Sequence, residues 1–189
     1  MNVSPRNSAP FDATCPADPA TAWRTALDDG SSVTIRPIGA DDAEREREFI
    51  ENLSPEARYH RFLSGMVHPS AAMIKKFTEI DHDRDEAYVA LTEQNGKTVQ
   101  IGVSRFYSDA DRKSCECAIA IADAWQHKGL GVRLMQRLIA TAKARGIERM
   151  YSIDSIEDGD MSEFAAFLGF TAAANPDDRT QVIHTLTLA

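Results

Sequence analysis

Alternating apolar and polar residues predict the strands of this chain. Residues 33–38 (VTIRPI) follow the period of two that is typical of a half-buried strand. Apolar runs of strand length recur downstream, bounded by turn residues such as Asn95-Gly96, which is a strong hairpin signal. The pattern predicts six strands, at about residues 33–38, 87–91, 99–107, 114–121, 150–153 and 182–188.

Apolar residues spaced three and four apart predict the helices. The longest covers about residues 129–144, with Leu130, Leu134 and Leu138 on one face and Gly146 placed to end it. Ser54 and Ser70 each precede an amphipathic stretch and can cap its first turn. Further helices are predicted over about 41–53 and 161–168, and a short one is expected over 21–27.

The order of these elements predicts the fold class. The three strands between 87 and 121 are joined by short turns and pair antiparallel, whereas the strand–helix–strand unit at 114–153 requires a right-handed parallel crossover. We therefore expect an α/β (α+β) fold with a mixed, mostly antiparallel sheet and helices on both faces. The length of 189 residues suits one domain, expected over 28–189. Residues 1–27 are expected to form a flexible tail, since the first twenty are mostly polar or small and include several prolines.

Charge and composition exclude several classes of function. The net charge of −8 and pI near 5.1 oppose general binding to nucleic acid, which needs a basic surface. No apolar run is long enough for a membrane span and no signal peptide is visible, so a cytoplasmic location is expected. Three cysteines without a Cys-x-x-Cys pair indicate neither a disulfide framework nor a metal site.

The segment most suggestive of chemistry lies where the fourth predicted strand leads into the long helix. Its turn reads Gln126-His127-Lys128-Gly129-Leu130-Gly131. Glycines let backbone amides approach a ligand, and the first amides of a helix attract anions such as phosphate. On these glycines alone, a turn that binds nothing is equally well supported. The nucleotide-binding P-loop and the dinucleotide fingerprint are both excluded, because Leu130 follows Gly129 and a third glycine is absent.

This turn resembles the signature of the GCN5-related N-acetyltransferases, the GNAT family, which reads Gln/Arg-x-x-Gly-x-Gly/Ala. Leu168-Gly169-Phe170 resembles the family's common Leu-Gly-Phe ending, and the likeness covers about residues 32–188. Segments 53–59 (LSPEARY) and 101–105 (IGVSR) are similar to the catalytic domain of bacterial Pat-type protein lysine acetyltransferases.

The resemblance implies that acetyl-CoA is a cosubstrate bound by the turn and the strand before it. The diphosphate would be held by the turn, and the pantetheine arm would pair with the strand backbone. Asp158 takes the place of an Asn that contacts this arm in many members. The implied cofactor-binding residues are Ile119, Ile121, Gln126, His127, Lys128, Gly129, Leu130, Gly131, Val132 and Asp158.

Glu116 is the candidate general base, because it lies in the strand leading to the turn, where Pat-type domains carry a glutamate. Its apolar sequence neighbours could raise its pKa. The family's usual acid, a Tyr, is replaced by Ala165, which leaves Tyr151, Ser155 or solvent as alternatives. His60, His68 and His82 are expected to be surface or structural residues.

The resemblance implies an N-acetyltransferase that moves an acetyl group from acetyl-CoA directly to an amine, with a protein lysine as one candidate acceptor. The alternative is a non-catalytic acyl-CoA sensor of the same fold, suggested by the substitutions at Asp158 and Ala165. Neither a membrane nor nucleic acid is expected as a partner, and a homodimer is compatible with the likeness.

Overall fold

Eight strands form one sheet in the computed structural model, which describes residues 14–64 and 66–188. Their spatial order is β1-β2-β3-β4-β5-β6-β8-β7. The strands are β1 (Trp23–Ala26), β2 (Ser32–Pro37), β3 (Glu86–Gln94), β4 (Lys97–Ser108), β5 (Ser114–Ile121), β6 (Arg149–Ser155), β7 (Thr171–Ala174) and β8 (Gln181–Thr187). All neighbours pair antiparallel except β5 and β6. The predicted mixed, mostly antiparallel sheet is confirmed.

Helices cover both faces of this sheet, as predicted. They are α1 (Ala43–Asn52), α2 (Pro55–Phe62), α3 (Ala71–Thr78), α4 (Leu130–Ala144) and α5 (Gly159–Phe167). One core cluster joins Leu134 and Leu138 of α4 to Ile35 and Ile101 of the sheet. A second cluster on the other face packs α1 and α3 against β3 and β4, with Phe49, Ile74, Val89 and Val103 buried between them.

The helix ends follow the expected capping chemistry. The Ser54 hydroxyl accepts a hydrogen bond from the Ala57 amide at 3.1 Å, and the Ser70 hydroxyl accepts one from the Met73 amide at 3.1 Å. Gly146 ends α4 with a φ of +73°, a left-handed conformation that glycine adopts without strain. Within the described residues, no helix combines the length and apolar character needed to cross a bilayer.

The expected tail and its short helix are wrong for residues 14–27. Residues 23–26 form strand β1, which pairs antiparallel with β2 and buries Trp23. The preceding segment is held by Arg137 of α4, a residue that is 1% exposed. Arg137 donates hydrogen bonds to the carbonyl oxygens of Asp18, Pro19 and Thr21 at 3.2, 3.1 and 2.5 Å.

The prediction of a flexible tail was based on composition. It was wrong here because these contacts use backbone carbonyls, which any sequence supplies. The remainder of the predicted tail, residues 1–13, lies outside the described residues.

Candidate active site

Strands β5 and β6 separate soon after they begin to pair. Their parallel register includes only Ser114 with Arg149, Cys115 with Met150, and Glu116 with Tyr151. Residues 117–121 of β5 continue to pair with β4, but among the described residues they have no strand partner on the β6 side. Backbone groups along this edge are therefore available to an extended ligand, as they are at any open strand edge.

A cavity of about 1050 Å³ lies in this gap. Its walls come from α2, the open half of β5, the turn before α4, and the start of α5. From Ile121 to Glu116 the strand spans roughly 17 Å, because a strand rises about 3.3 Å per residue. The cavity thus has two ends, which we call the turn end, at residues 126–132, and the catalytic end, around Glu116.

The turn end presents the backbone of a helix start. Gly129 precedes α4 with a φ of +80°, and the first helical hydrogen bond runs from the Arg133 amide to the Gly129 carbonyl at 3.2 Å. The amides before Arg133 have no acceptor within the helix and carry positive partial charge. The Gln126 side chain donates to the Ile121 carbonyl at 3.3 Å, which ties the turn to β5. The arrangement suits a diphosphate.

The cations of the turn end are already paired with an acidic turn between β1 and β2. Lys128 Nζ lies 3.0 Å from Asp29 Oδ2, and an Arg133 nitrogen lies 3.6 Å from Asp28 Oδ1. Hydrogen bonds from the side chain and backbone of Ser31, together with Lys128, lower the pKa of Asp29 to about 2. A Cβ added to Gly129 would lie 2.6 Å from Asp28 Oδ2. The motif at residues 126–131 does not predict the contact with Asp28, because Asp28 belongs to a distant segment of the chain.

Most of the predicted cofactor residues line the cavity. They are Ile119, Ile121, Gln126, His127, Gly129, Gly131, Val132 and Asp158. Leu130 instead packs in the core at 1% exposure, so only its backbone belongs to the turn. Lys128 is not among the lining residues, since its side chain points to Asp29 and lies over the Trp125 ring.

Glu116 lies in the wall of the catalytic end, but its surroundings differ from the expectation. Its neighbours Cys115 and Cys117 are buried in the core on the opposite face of β5, whereas Glu116 is exposed. Successive side chains of a strand point to opposite faces, so apolar sequence neighbours do not enclose it. Burial raises the pKa of both thiols, that of Cys115 to about 12, which disfavours a cysteine nucleophile.

Arg61 of α2 also lines the catalytic end. Burial lowers the pKa of Arg61 to about 10, and the nearby Arg105 acts in the same direction, whereas Glu46, Tyr107 and Glu116 oppose it. Arg105 is itself neutralised in the core by an ion pair with Glu46 at 2.5 Å. Arg61 is therefore a cation close to Glu116.

His60 and Asp158 meet at the same cavity, which the sequence does not predict for His60. The His60 Nδ1 atom lies 3.5 Å from Asp158 Oδ2, and its Nε2 atom lies 3.9 Å from Glu56 Oε1. Asp158 caps α5 by accepting a hydrogen bond from the Met161 amide at 2.9 Å. The sequence predicts only a surface or structural role for His60. It does not predict a place in the cavity wall, because α2 and α5 are distant in sequence and are brought together by packing.

The two side chains considered as alternative acids do not line the cavity. The Tyr151 hydroxyl donates to Asp109 Oδ1 at 3.2 Å, and burial raises the pKa of Tyr151 to about 12. The Ser155 hydroxyl accepts a hydrogen bond from the Glu157 amide at 3.2 Å. Among the residues described, no three His, Cys, Asp or Glu side chains cluster so as to hold a metal ion.

Comparison with known proteins agrees with this architecture. The model of the Acetyltransferase (GNAT) family matches residues 47–170. Acetyltransferase PA5475 of Pseudomonas aeruginosa is 42% identical over 166 residues, which are 88% of this chain and 89% of that protein.

Solved structures show the same fold. The GNAT domain of S. lividans PAT superposes with a TM-score of 0.79 at 26% identity, covering 88% of this chain and 96% of that one. The protein yncA of Salmonella typhimurium, solved with its cofactor acetyl-CoA, gives a TM-score of 0.66 at 22% identity, over 84% of this chain and 95% of that one. The predicted likeness to Pat-type domains is confirmed. The chain belongs to the GNAT family and is an acetyl-CoA-dependent N-acetyltransferase.

Proposed function

We propose that the enzyme transfers the acetyl group directly from acetyl-CoA to a cationic amine, of which a protein lysine is the leading candidate. The observation that carries this proposal is the charge of the cavity. Eight carboxylate residues line it: Glu56, Glu116, Asp123, Asp154, Glu157, Asp158, Asp160 and Glu163. Such a wall attracts a positively charged acceptor. We place the reaction in the cytoplasm, in line with the sequence-based expectation.

The turn end and the open edge of β5 have complementary tasks in this proposal. The amides at the start of α4 bind the diphosphate of the cosubstrate. The backbone of Ile119 and Ile121 pairs with the pantetheine arm, because this edge lacks a strand partner on the β6 side. Asp158 lies beside the arm at the start of α5. The thioester is then carried toward Glu116.

Glu116 acts as the general base. It takes a proton from the attacking ammonium group, directly or through water, so that the amine nitrogen can attack the thioester carbonyl. The new C–N bond forms and the nitrogen releases its second proton to water, while the C–S bond breaks and its electron pair leaves with the CoA sulfur. Glu116 then passes the proton it took to solvent. A backbone amide of β5 polarises the carbonyl oxygen. Cys117 takes no covalent part, since its thiol faces the core and its pKa is raised by burial.

Release of free CoA from acetyl-CoA tests the acceptor class. Two peptides with one lysine each are compared, one flanked by arginines and the other by glutamates. We expect faster release, and acetylated lysine by mass spectrometry, with the arginine-flanked peptide. Equal rates with both peptides, or a preference for the glutamate-flanked one, would contradict the cationic-acceptor proposal.

The Glu116→Gln variant tests the assigned base. We expect kcat to fall by roughly 10² to 10⁴, because the amide keeps the shape of the side chain but accepts no proton. Acetyl-CoA should still raise the melting temperature of the variant, since a ligand that binds the folded state stabilises it. Near-normal turnover by the variant would remove Glu116 from the mechanism.

A further inference from the structure

The departing CoA thiolate needs a proton, and the cavity wall limits which residue can supply it. Among the lining residues in the described part of the chain there is no tyrosine or lysine. Cys117 is a poor acid because burial raises its pKa well above the ordinary value. The lining groups whose ordinary pKa lies near neutrality are His60 and His127.

His127 and His60 lie at different ends of the cavity, and this distinguishes them as candidate acids. His127 belongs to the turn end, where its backbone adopts a φ of +58° between Gln126 and Gly129. The turn follows Ile121, which lies roughly 17 Å from Glu116 along β5. His60 projects from α2, a helix that packs against β5 and β6, and faces the gap where these strands separate. His60 therefore belongs to the catalytic end of the cavity, and His127 to the turn end.

Two carboxylates lie within 4 Å of the His60 ring nitrogens. The Nδ1 atom is buried without a hydrogen-bond partner and lies 3.5 Å from Asp158 Oδ2. Glu56 of the same helix lies 3.9 Å from Nε2. The ring is therefore held between α2 and the start of α5.

Other charged groups face the same space. Glu116 projects from β5, Asp154 from β6 and Glu157 from the segment before α5, while Arg61 on α2 opposes them. The carboxylates within 4 Å of the His60 ring nitrogens remain those of Asp158 and Glu56, since Asp154 pairs with His184 at 2.8 Å.

We propose that His60 is the general acid of the reaction and that Asp158 is its positioning residue. As the C–S bond breaks, the electron pair stays on sulfur and His60 transfers its proton to it, giving the free CoA thiol and a neutral imidazole. His60 regains a proton from solvent before the next turnover. The assignment rests on the direct transfer proposed above, with Glu116 taking the proton of the amine.

The test compares His60→Gln with His68→Gln across the pH range 5.5 to 9, using the arginine-flanked peptide. His68 is a matched control, because it also pairs with a carboxylate, Glu51 at 3.1 Å, but is exposed and lies outside the cavity. We expect kcat of His60→Gln to be lower than wild type by roughly 10²-fold at pH 6. The ratio should shrink as pH rises and His60 of the wild type loses its proton. Ionisation of the acceptor cancels in this ratio.

Asp158→Asn supplies an independent variant, because Asn also caps helices well and should preserve α5. If Asp158 acts through His60, the losses of kcat in Asp158→Asn and in His60→Gln should not add in the double variant, as expected for residues in contact. A wild-type to His60→Gln ratio that stays constant with pH, or an equal effect of His68→Gln, overturns the His60 assignment while leaving the proposed function intact. Absence of transfer by both wild type and His68→Gln overturns the proposed function and this assignment together.

Discussion

The two ends of the cavity are built in different ways. The turn end comes from one unbroken segment, residues 126–132, and offers backbone amides. The catalytic end assembles side chains from α2, β5 and the start of α5, namely His60, Arg61, Glu116 and Asp158. An end made of local backbone depends on φ and ψ, whereas an end made of distant side chains depends on packing. The first can therefore be recognised as a motif and the second only in three dimensions.

The two ends of the cavity also differ in the charges of their side chains. At the turn end, Lys128 and Arg133 are paired with Asp29 and Asp28. At the catalytic end, carboxylates exceed cations. The turn end therefore depends on backbone amides to hold an anionic donor, whereas the catalytic end has the side-chain charge to admit a cationic acceptor.

The largest expected effect comes from removing the N-terminal segment, which tests how strongly contacts between distant parts of the chain stabilise the fold. A chain beginning at Asp28 lacks β1, the carbonyl partners of Arg137 and the core residue Trp23, which is 3% exposed. Loss of a buried tryptophan side chain alone typically costs about 3–5 kcal/mol. We expect a large drop in the free energy of unfolding in urea relative to the full chain. An unchanged free energy of unfolding would show that these contacts do not stabilise the fold.

A smaller change tests the turn end alone. Gly129→Ala places a side chain at a φ of +80° and within 2.6 Å of Asp28 Oδ2. We expect at least tenfold weaker acetyl-CoA binding by calorimetry, because a residue with a Cβ is strained at this φ and the backbone of the turn relaxes away from it. Gly96→Ala is the control, because Gly96 has a φ of +77° with nothing within 4 Å of the added Cβ. Equal affinity in both variants would contradict the assignment of the diphosphate to this turn. A bulkier change such as Gly129→Glu would be less clear, because it adds a collision between two carboxylates.

The smallest effect concerns the acidic turn beside Gly129. Asp28→Asn removes a negative charge near the diphosphate site and releases Arg133. We expect Kd for acetyl-CoA to fall roughly two- to fivefold at low salt and the gain to fade at high salt, as for any exposed charge. Asp83→Asn, outside the cavity lining, controls for net charge. Weaker binding by Asp28→Asn would show that Asp28 supports the turn rather than competing with the ligand.

Sequence reasoning succeeded where a short range of residues decides the structure. The six expected strands, the caps at Ser54 and Ser70 and the helix after Gly129 all depend on local pattern. It failed where distant segments meet. Strand β1 is stabilised by pairing with β2 and by Arg137, and His60 reaches the cavity only because α2 packs beside α5. The expectation of an apolar environment for Glu116 was wrong for another reason. Burial in a strand depends on which face a side chain occupies, and sequence neighbours occupy the opposite face.

The gap between β5 and β6 has a consequence for aggregation. An unpaired strand edge on a protein surface can template the addition of a strand from another molecule. Here the open edge at 117–121 faces inward, and α2 and the start of α5 wall it off. A polypeptide would have to displace a helix to pair with it, whereas a slender extended molecule enters without rearrangement. The fold can thus keep backbone hydrogen-bonding groups permanently open to a small ligand while denying them to other chains.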